Sequence, residues 1–528
     1  MFTIPRGRPG RRSWATVLAL TTVTALALSG CAGDSDDQPT QSSGGRAPLL
    51  TFAVSAPATG MNPTTVNTAF ASYALAAYEP LVYFGPGGVY QPALAESWEI
   101  AEGNTAISLR LRSGVTFADG SPVDAAAVKA SLEYCGSSAS INALALRDLD
   151  SIELTDDLSL TLRLKQANPL LLNMVSQELG CGMIISPAGL AQIDDLTVDS
   201  PSAGAGAYVY DPQQSVPGDT YTYTANPRYY DPSKQHFDKL VLKVMMEPQA
   251  ALNALTTGQV DVATGSLATA QQAAQSQSVE MSWIPVVWAG LNLIDRDGAL
   301  TPAMGDVRVR QAINYAINRE AITQAILGDF GVPTSSPAAE GYDGWTAQAA
   351  SYYSYDPTKA KALLVEAGYP DGFELPVATV AWGGLDVVTT ALTPMLAEIG
   401  ITMVVNTTTD EKAYADAATN RQASAVAVGY GSLPMFRMAT DLVLPEARPF
   451  NGFGTDDPEA MALLQELRLA APEQSAERAQ ALNTYLVEQA WFAPVMFTPI
   501  LIYYRDGVTG VDLTGGRQTV SILDVALK

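Results

Sequence analysis

Few side chains in this sequence of 528 residues are suited to catalysis or to metal binding. It has one histidine, His236, and three cysteines, Cys31, Cys135 and Cys181. Any Ser-His-Asp triad would have to use His236, and no G-x-S-x-G motif presents a nucleophilic serine. Direct zinc or nickel sites recruit several His or Cys ligands, and phosphate-binding glycine motifs are missing as well. We therefore predict a protein that is not an enzyme and has no catalytic residue, metal ion or cofactor.

Cys31 follows an N-terminal stretch with the layout of an export signal. Four arginines within the first twelve residues precede an apolar run over residues 14–28, which ends in "LSGC" at Cys31. A basic region, a short apolar region and small residues before the cut are typical of a secretory signal. The order Leu-Ser-Gly-Cys resembles the bacterial lipoprotein box, which implies cleavage before Cys31 and a lipid on its thiol. The alternative is an ordinary signal peptide with an incidental cysteine.

The stretch after Cys31 has almost nothing to bury. Residues 31–48 are rich in Ser, Gly, Asp and Gln, a composition typical of a flexible tether. Several acyl chains on one residue anchor a protein stably to a membrane. We therefore expect a signal peptide over residues 1–30, a tether over residues 31–48, and an extracytoplasmic domain anchored to the cell membrane by a lipid on Cys31.

Cys135 and Cys181 form an even pair in a chain that is expected to be exported. Such a pair favours a disulfide, which would close a long loop and stabilise the fold by roughly 3 to 4 kcal/mol. Two buried free thiols are the alternative.

The charge balance narrows the choice of partners. The chain carries 30 Lys and Arg against 54 Asp and Glu, a net charge of −24. Nucleic-acid binding needs clustered Lys and Arg, so the composition argues against it. An acidic field favours cationic ligands mildly, although solubility alone also explains such a charge.

The elements that must position a site alternate between helices and strands. "ISLRL" (107–111) alternates apolar and polar residues, which predicts a half-buried strand. "SPVDAAAVKASLEYC" predicts a helix with Ser121 as its N-cap, and the stretch from Asp306 to Gly328 predicts one long helix. Repeated helix-strand units after residue 356 predict α/β lobes with helices packed on mixed sheets. Two such lobes offer a cleft for a ligand.

Several blocks in one order carry a family resemblance. They are "YEPLVYFGPGGVYQPALAESWEI" (78–100), "LRLRSGVTFADGSPVDAAAVKASLE" (109–133), "GAGAYVY" (204–210), "NPRYYD" (226–231), "ALTTGQVDVA" (254–263), "DVRVRQAINYAINREAI" (306–322) and "YDPTKAKALLVEAGYPDGFEL" (355–375). Together they resemble family 5 of the bacterial extracellular solute-binding proteins, the peptide/nickel/opine receptors of ABC importers.

The resemblance implies an α/β fold of the type II periplasmic-binding-protein class, a two-lobe clamshell with an inserted subdomain and mixed β-sheets flanked by helices. Lobe I is expected over residues 49–295 plus 492–528, with the inserted subdomain at about 91–202. Lobe II is expected over residues 296–491. Two crossovers would then form the hinge, and closure would be favoured by a ligand that contacts both lobes.

The resemblance also implies which residues contact the ligand, although each could be an ordinary core residue. They lie in a loop after the first strand, in the crossover segment and in lobe II loops: Thr68, Ala69, Phe70, Trp288, Asn292, Trp382, Tyr414, Tyr430 and Gly431. Arg421 is a further candidate that could meet an acidic ligand group, and a surface role is the equal alternative. Aromatic and small residues suit recognition by stacking and by backbone contacts.

One departure from the family pattern concerns the ligand itself. Peptide-binding members place an Asp a few residues after the aromatic residue of the last loop, where it holds the free amine of the peptide. The corresponding stretch here is "GYGSLPMF", with Leu433 and Pro434 at that place, and Asp441 is an uncertain substitute. Because a buried ammonium needs a partner, the departure puts a standard free peptide in doubt.

Taken together, we predict a lipid-anchored, monomeric receptor of an ABC importer that hands a peptide-like ligand to permease and ATPase subunits. The alternatives are a non-peptide solute, such as an oligosaccharide or an opine-like conjugate, and a sensory or chaperone-like lipoprotein on the same fold.

Overall fold

The computed structural model describes residues 45–65, 71–137, 143, 146–198, 200–381, 383–513 and 517–528. The expected signal peptide, Cys31 and most of the expected tether lie outside these residues. Within the described ranges, no helix combines the length and the apolar character needed to cross a bilayer.

The strands are β1 (Ala47–Val54), β2 (Val82–Phe84), β3 (Tyr90–Pro92), β4 (Ala95–Ile100), β5 (Ala106–Leu111), β6 (Leu149–Asp156), β7 (Ser159–Leu164), β8 (Tyr208–Val216), β9 (Thr220–Ala225), β10 (Phe237–Val244), β11 (Val262–Thr264), β12 (Val279–Asn292), β13 (Val332–Pro333), β14 (Phe373–Val380), β15 (Ile401–Thr408), β16 (Ala425–Gly431), β17 (Phe492–Arg505), β18 (Val508–Thr509) and β19 (Ala526–Leu527).

The helices are α1 (Ala71–Leu75), α2 (Ala125–Ser137), α3 (Leu171–Met174), α4 (Pro187–Ala191), α5 (Pro248–Thr256), α6 (Leu267–Ala274), α7 (Val307–Tyr315), α8 (Arg319–Leu327), α9 (Ala347–Ala350), α10 (Pro357–Glu366), α11 (Leu385–Glu398), α12 (Glu411–Thr419), α13 (Met435–Leu442), α14 (Pro458–Leu469) and α15 (Pro472–Glu488).

One large mixed sheet runs through the molecule in the order β15-β14-β16-β12-β17-β11-β1-β10-β9-β8. Its outer parts contain parallel pairs, β14 with β15 and β1 with β10, whereas β12 and β17 pair antiparallel at its centre. Helices such as α11 pack against the sheet, because their apolar faces need a partner surface.

The two central strands connect the two halves of the sheet. β12 and β17 pair along their whole lengths; the last part of β12 also pairs with β16, and the last part of β17 with β11. Each long strand is therefore shared between the halves. We name residues 45–278 the N-terminal segment, residues 293–491 the central segment, and residues 506–528 the C-terminal tail.

A smaller unit with its own core lies within the N-terminal segment. The antiparallel sheet β4-β5-β7-β6 packs with α2 over fully buried residues that include Phe117, Leu132 and Leu162. Each such side chain contributes about 1.5–3 kcal/mol by its removal from water. A disulfide joins Cys135 in α2 to Cys181, with their Cα atoms 5.7 Å apart.

The strand predicted over residues 107–111 is confirmed. In β5 the side chains of Ile107, Leu109 and Leu111 are buried, and those of Ser108 and Arg110 are exposed. This alternation follows from the period of two along a strand.

The predicted N-cap of α2 is wrong. The helix begins at Ala125, and Asp124 caps it: its Oδ1 accepts a hydrogen bond from the Ala127 N–H at 2.8 Å. The Ser121 hydroxyl instead donates to Asp119 Oδ1 at 2.6 Å, in the turn before the helix. Asp124 therefore satisfies a free N–H of the first turn, which is the role of an N-cap.

The long helix predicted between Asp306 and Gly328 is two helices. Asp306 caps α7 as expected, but α7 ends at Tyr315. The side chain of Asn318 then accepts from the Ala321 N–H and begins α8. An asparagine that bonds to the nearby backbone competes with helix continuation, and apolar periodicity alone does not reveal this competition.

Candidate functional site

A cavity of about 430 Å³ lies between the N-terminal and central segments. This volume is within the range of small-molecule pockets, about 300–1,000 Å³. Its lining comes from both segments and from the tail: Phe84, Gly88, Tyr90, Ile100, Asn104, Pro169, Leu170, Leu172, Asn173, Glu178, Gly341, Tyr342, Asp343, Leu433, Pro434, Ala470, Pro472, Ser475 and Gln518.

The turn that carries Glu178 is fixed to strand β2 by the neighbouring side chain. The Phe84 N–H donates to Gln177 Oε1 at 2.9 Å, and Gln177 Nε2 donates back to the Phe84 carbonyl at 2.7 Å. A Cβ at Gly182 would lie 2.2 Å from the Ser176 carbonyl oxygen, so this close return of the chain requires glycine. The turn therefore holds Glu178 in the cavity wall.

The central segment supplies the loop that carries Asp343. Its Oδ1 accepts from the N–H of Met435, the first residue of α13, at 2.8 Å. This position at a helix N-terminus suits a carboxylate. The tail secures the same loop, because Gln518 Nε2 donates to the Tyr342 hydroxyl at 3.1 Å and to the Ser432 carbonyl at 2.6 Å.

The two segments also touch at the rim of the cavity. Asn104 Nδ2 donates to the Ala470 carbonyl at 2.8 Å, and Arg468 donates to Gln166 Oε1 at 2.6 Å. Leu170 packs against the apolar cluster of the central segment. A solute in the cavity would therefore contact both segments.

Glu178 is a half-buried carboxyl group without a hydrogen-bonding partner among the described residues. Burial raises its pKa to about 7, although the positive charge of Arg517 acts in the opposite direction. That guanidinium itself donates to Asp524 Oδ2 at 2.7 Å and to the Tyr83 hydroxyl at 3.2 Å. Glu178 therefore lines the cavity with carboxyl oxygens that accept no hydrogen bond from the described part of the chain.

The charge of Asp343 reaches the same part of the cavity. Burial raises the pKa of Asp343, and the hydrogen bond from the Met435 N–H opposes the shift. Burial also raises the pKa of Tyr90 to about 12; a hydrogen bond with Asn173 lowers it, and the charges of Glu178 and Asp343 add to the rise. Tyr90, Glu178 and Asp343 all line the cavity, and Tyr90 lies within electrostatic range of both carboxyl groups.

The lining offers hydrogen bonds and negative charge on an apolar wall. None of the described lining residues is Lys, Arg or His. In the described part of the chain, no group of three or more His, Cys, Asp or Glu side chains could hold a metal ion. The arrangement is suited to binding and orienting a solute.

None of the predicted contact residues that the structure describes lines this cavity, and the others lie outside the described residues. Thr68, Ala69, Phe70 and Trp382 are outside the described residues. Trp288 and Tyr430 are paired neighbours on β12 and β16, and Gly431 pairs with Val287. The Trp288 side chain is 0% exposed and packs edge-on against Phe492, with ring centroids 5.6 Å apart.

The other three predicted residues are held by structural contacts. Asn292 Nδ2 donates to the Phe450 carbonyl at 2.8 Å. The Tyr414 hydroxyl donates to the Ala427 carbonyl at 2.6 Å, and Arg421 donates to the Phe453 carbonyl at 3.3 Å. The described members of the predicted set do not line this cavity. Their contact with a ligand stays a prediction.

Asp441 is not a free substitute for the missing Asp. It accepts from the Tyr430 hydroxyl at 2.9 Å and from Arg437 Nε at 2.7 Å. Leu433 and Pro434 line the cavity, together with two carboxyl groups that the sequence analysis missed. The sequence could have indicated Asp343 as a site residue, because it stands in the loop "EGYDGW", which contains glycine and aromatic residues. Glu178 had none.

Solved structures share this architecture. The binding protein AgaA of A. tumefaciens R10, in complex with agropinic acid, aligns with a TM-score of 0.73 and 24% identity over 91% of this chain and 99% of that chain. HbpA2 from Haemophilus parasuis aligns with a TM-score of 0.79 and 21% identity over 91% and 100%. DppA from Helicobacter pylori, in complex with the peptide STSA, aligns with a TM-score of 0.72 and 21% identity over 91% and 98%. The fold is that of the two-lobe, type II periplasmic binding proteins.

Sequence comparison gives the family. The family model "Bacterial extracellular solute-binding proteins, family 5 Middle" matches residues 89–439, and the chain belongs to this family. The glutathione-binding protein of Shigella dysenteriae is 26% identical over 377 residues, which cover 69% of this chain and 67% of that protein. A Brucella ovis protein whose name describes peptide binding in ABC transport is 26% identical over 349 residues. That match covers 62% of this chain and 63% of the length of the relative.

Proposed function

We propose that this protein is the substrate-binding receptor of an ABC importer, which captures a peptide-like solute and delivers it to a membrane permease. The cavity between the two segments carries this proposal, because a solute there touches groups from both. Relatives named for peptide and glutathione binding support the ligand class. The protein itself breaks no bond; ATP hydrolysis takes place in partner subunits.

The N-terminal segment together with the C-terminal tail acts as lobe I and the central segment as lobe II, with boundaries near residues 295/296 and 491/492. β12 and β17 supply the hinge, because β12 joins the N-terminal segment to the central segment and β17 joins the central segment to the C-terminal tail. A solute that contacts both segments binds the closed form more tightly and shifts the population toward it.

A lipid on Cys31 anchors the receptor to the outer face of the cell membrane. The motif "LSGC" and the polar stretch that follows it support this attachment. The full chain should fractionate with membranes, and Cys31→Ser should release it into the soluble extracytoplasmic fraction. Membrane retention of the variant would rule out anchoring through Cys31.

A second candidate ligand is a non-peptide solute related to opines. Leu433 and Pro434 line the cavity with apolar groups at the place where the family resemblance predicts an Asp. AgaA, which has a similar fold, was solved in complex with agropinic acid, which is not a peptide.

Native mass spectrometry of the purified full-length protein, before and after gentle denaturation, separates these candidates. Release of short peptides supports the peptide-like ligand. One non-peptide mass supports the second candidate. If neither is released, melting-temperature shifts are measured with a library of both solute classes, and the absence of any shift would overturn the receptor function.

A further inference from the structure

Two carboxyl groups approach the cavity from different segments. Glu178 comes from the N-terminal segment and Asp343 from the central segment. We propose that the cavity selects solutes with a cationic group, an ammonium or a guanidinium, which Glu178 and Asp343 hold jointly. The inference rests on the proposed receptor function and specifies the chemistry of its solute.

No basic residue of the described lining compensates the charge of this site. The described lining contains two acidic residues and no basic one. Arg517 is the basic group whose charge acts on Glu178; its Nη2 donates to Asp524 and Tyr83, its Nη1 has no partner among the described residues, and neither nitrogen bonds to Glu178. A solute cation can therefore supply the missing counter-charge.

The cavity walls strengthen such an interaction. Phe84, Leu170 and Leu433 give the lining much of its apolar character. Unpaired charges in an apolar setting carry a large desolvation cost, and the attraction between opposite charges rises as the local dielectric falls. A cation that enters with at least one charge-assisted hydrogen bond to each carboxylate offsets that cost.

The placement of the carboxylates also couples charge recognition to closure. Glu178 is fixed to β2 by Gln177, and Asp343 is fixed to the start of α13 by the Met435 N–H. A single cation that contacts both groups bridges the N-terminal and central segments. Neutralisation of the pair therefore favours the closed form over the open one.

The test compares Glu178→Gln and Asp343→Asn with Asp441→Asn as the matched control. Each substitution removes one negative charge and preserves the shape of the side chain. Asp441 is a carboxylate of the central segment that binds Tyr430 and Arg437 and does not line the cavity. Melting temperatures show that each variant folds.

Calorimetric titration of the full-length proteins uses three probes: a library of dipeptides and tripeptides with free amino termini, the same library N-acetylated and without basic side chains, and spermidine.

We expect free-amine peptides to bind the wild type and to lose roughly 30-fold or more in affinity in each cavity variant, since truncating one partner of a buried charge pair has such an effect. The Asp441→Asn variant should bind within about 2-fold of the wild type.

The remaining outcomes separate the inference from the function on which it rests. Equal binding of the acetylated library would overturn cation selection and leave the peptide receptor intact. Binding of spermidine alone, with the same dependence on Glu178 and Asp343, would support cation selection and overturn the peptide ligand. Binding of none of the three probes, or loss in Asp441→Asn alone, would overturn the inference.

Discussion

Glu79 and Glu178 differ in their surroundings, although burial raises the pKa of both to about 7. Glu79 is 2% exposed and accepts hydrogen bonds from the Tyr229 hydroxyl at 3.1 Å and the Tyr230 hydroxyl at 2.8 Å. Glu178 lines the cavity and accepts no hydrogen bond from the described residues. Loss of contact with water explains both pKa shifts, so the shift alone does not identify a binding site. The distinguishing feature is whether the fold already supplies the donors.

The largest expected effect tests that distinction through stability. Glu79→Ala leaves the hydroxyls of Tyr229 and Tyr230 without their acceptor and creates a void, so we expect the free energy of unfolding to fall by about 3 kcal/mol. Glu178→Ala removes a carboxyl group that no described residue pairs, so at pH 4.5, where it is neutral in the folded protein, we expect a change within about 0.5 kcal/mol, and at neutral pH a gain. Chemical denaturation of both variants measures the difference. Equal destabilisation would mean that Glu178 is as much a structural group as Glu79.

Both Glu79 and Glu178 should contribute to the pH dependence of stability, but a bound ligand should change only the contribution of Glu178. A folded pKa near 7 lies above the unfolded value of about 4.5, so the stabilisation is complete below pH 4.5 and is lost as the pH rises through 7. Each group changes the free energy of unfolding by at most about 3 kcal/mol over this window.

The difference in unfolding free energy between the wild type and Glu79→Gln, or between the wild type and Glu178→Gln, isolates each contribution. A saturating cationic ligand should abolish the pH dependence of the Glu178 contribution and leave that of Glu79 unchanged. A ligand effect on the Glu79 contribution would contradict the assignment.

Protons should compete with the solute at Glu178. The cation needs the ionised carboxylate, and its pKa of about 7 implies a roughly fivefold loss of affinity between pH 7 and pH 6. Calorimetric titrations of the wild type at the two pH values measure this loss, with Glu79→Gln as a control that should retain it. The Glu178→Gln variant should bind the solute weakly at both pH values, and its affinity should depend little on pH. If the affinity of this variant still fell roughly fivefold between pH 7 and pH 6, another group would be responsible for the pH dependence.

The smallest expected effect is the coupling between the two cavity carboxylates. If Glu178 and Asp343 hold one cationic group, a double-mutant cycle on ligand affinity should show a coupling of about 0.5–1 kcal/mol. The cycle between Glu79→Gln and Asp343→Asn should show none. Additive losses at Glu178 and Asp343 would mean that they contact separate parts of the solute.

Much of the fold could be predicted from the sequence, because local patterns carry it. The alternation of residues 107–111 predicted β5, and Asp306 predicted the start of α7. Errors arose where a side chain bonds to the backbone nearby: Asp124 rather than Ser121 caps α2, and Asn318 divides the predicted helix over 306–328. Several polar residues near a helix start can serve as caps, and spacing alone does not choose among them.

The candidate site was less predictable. The family resemblance predicted an Asp where Leu433 and Pro434 stand, and both residues line the cavity. It did not identify Glu178 or Asp343, which stand far apart in the chain. Asp441 was the nearest carboxylate in sequence, but the structure pairs it with Tyr430 and Arg437.

The sequence by itself determined the family, the α/β class and most elements, because periodicity, caps and ordered motifs are local properties of the chain. Only the tertiary structure decided which carboxylates are paired and which face the cavity. Glu79 and Glu178 have the same side chain and the same direction of pKa shift. Two tyrosine hydroxyls from a distant part of the chain reach Glu79 and none reaches Glu178 among the described residues, because folding alone fixes where those donors lie.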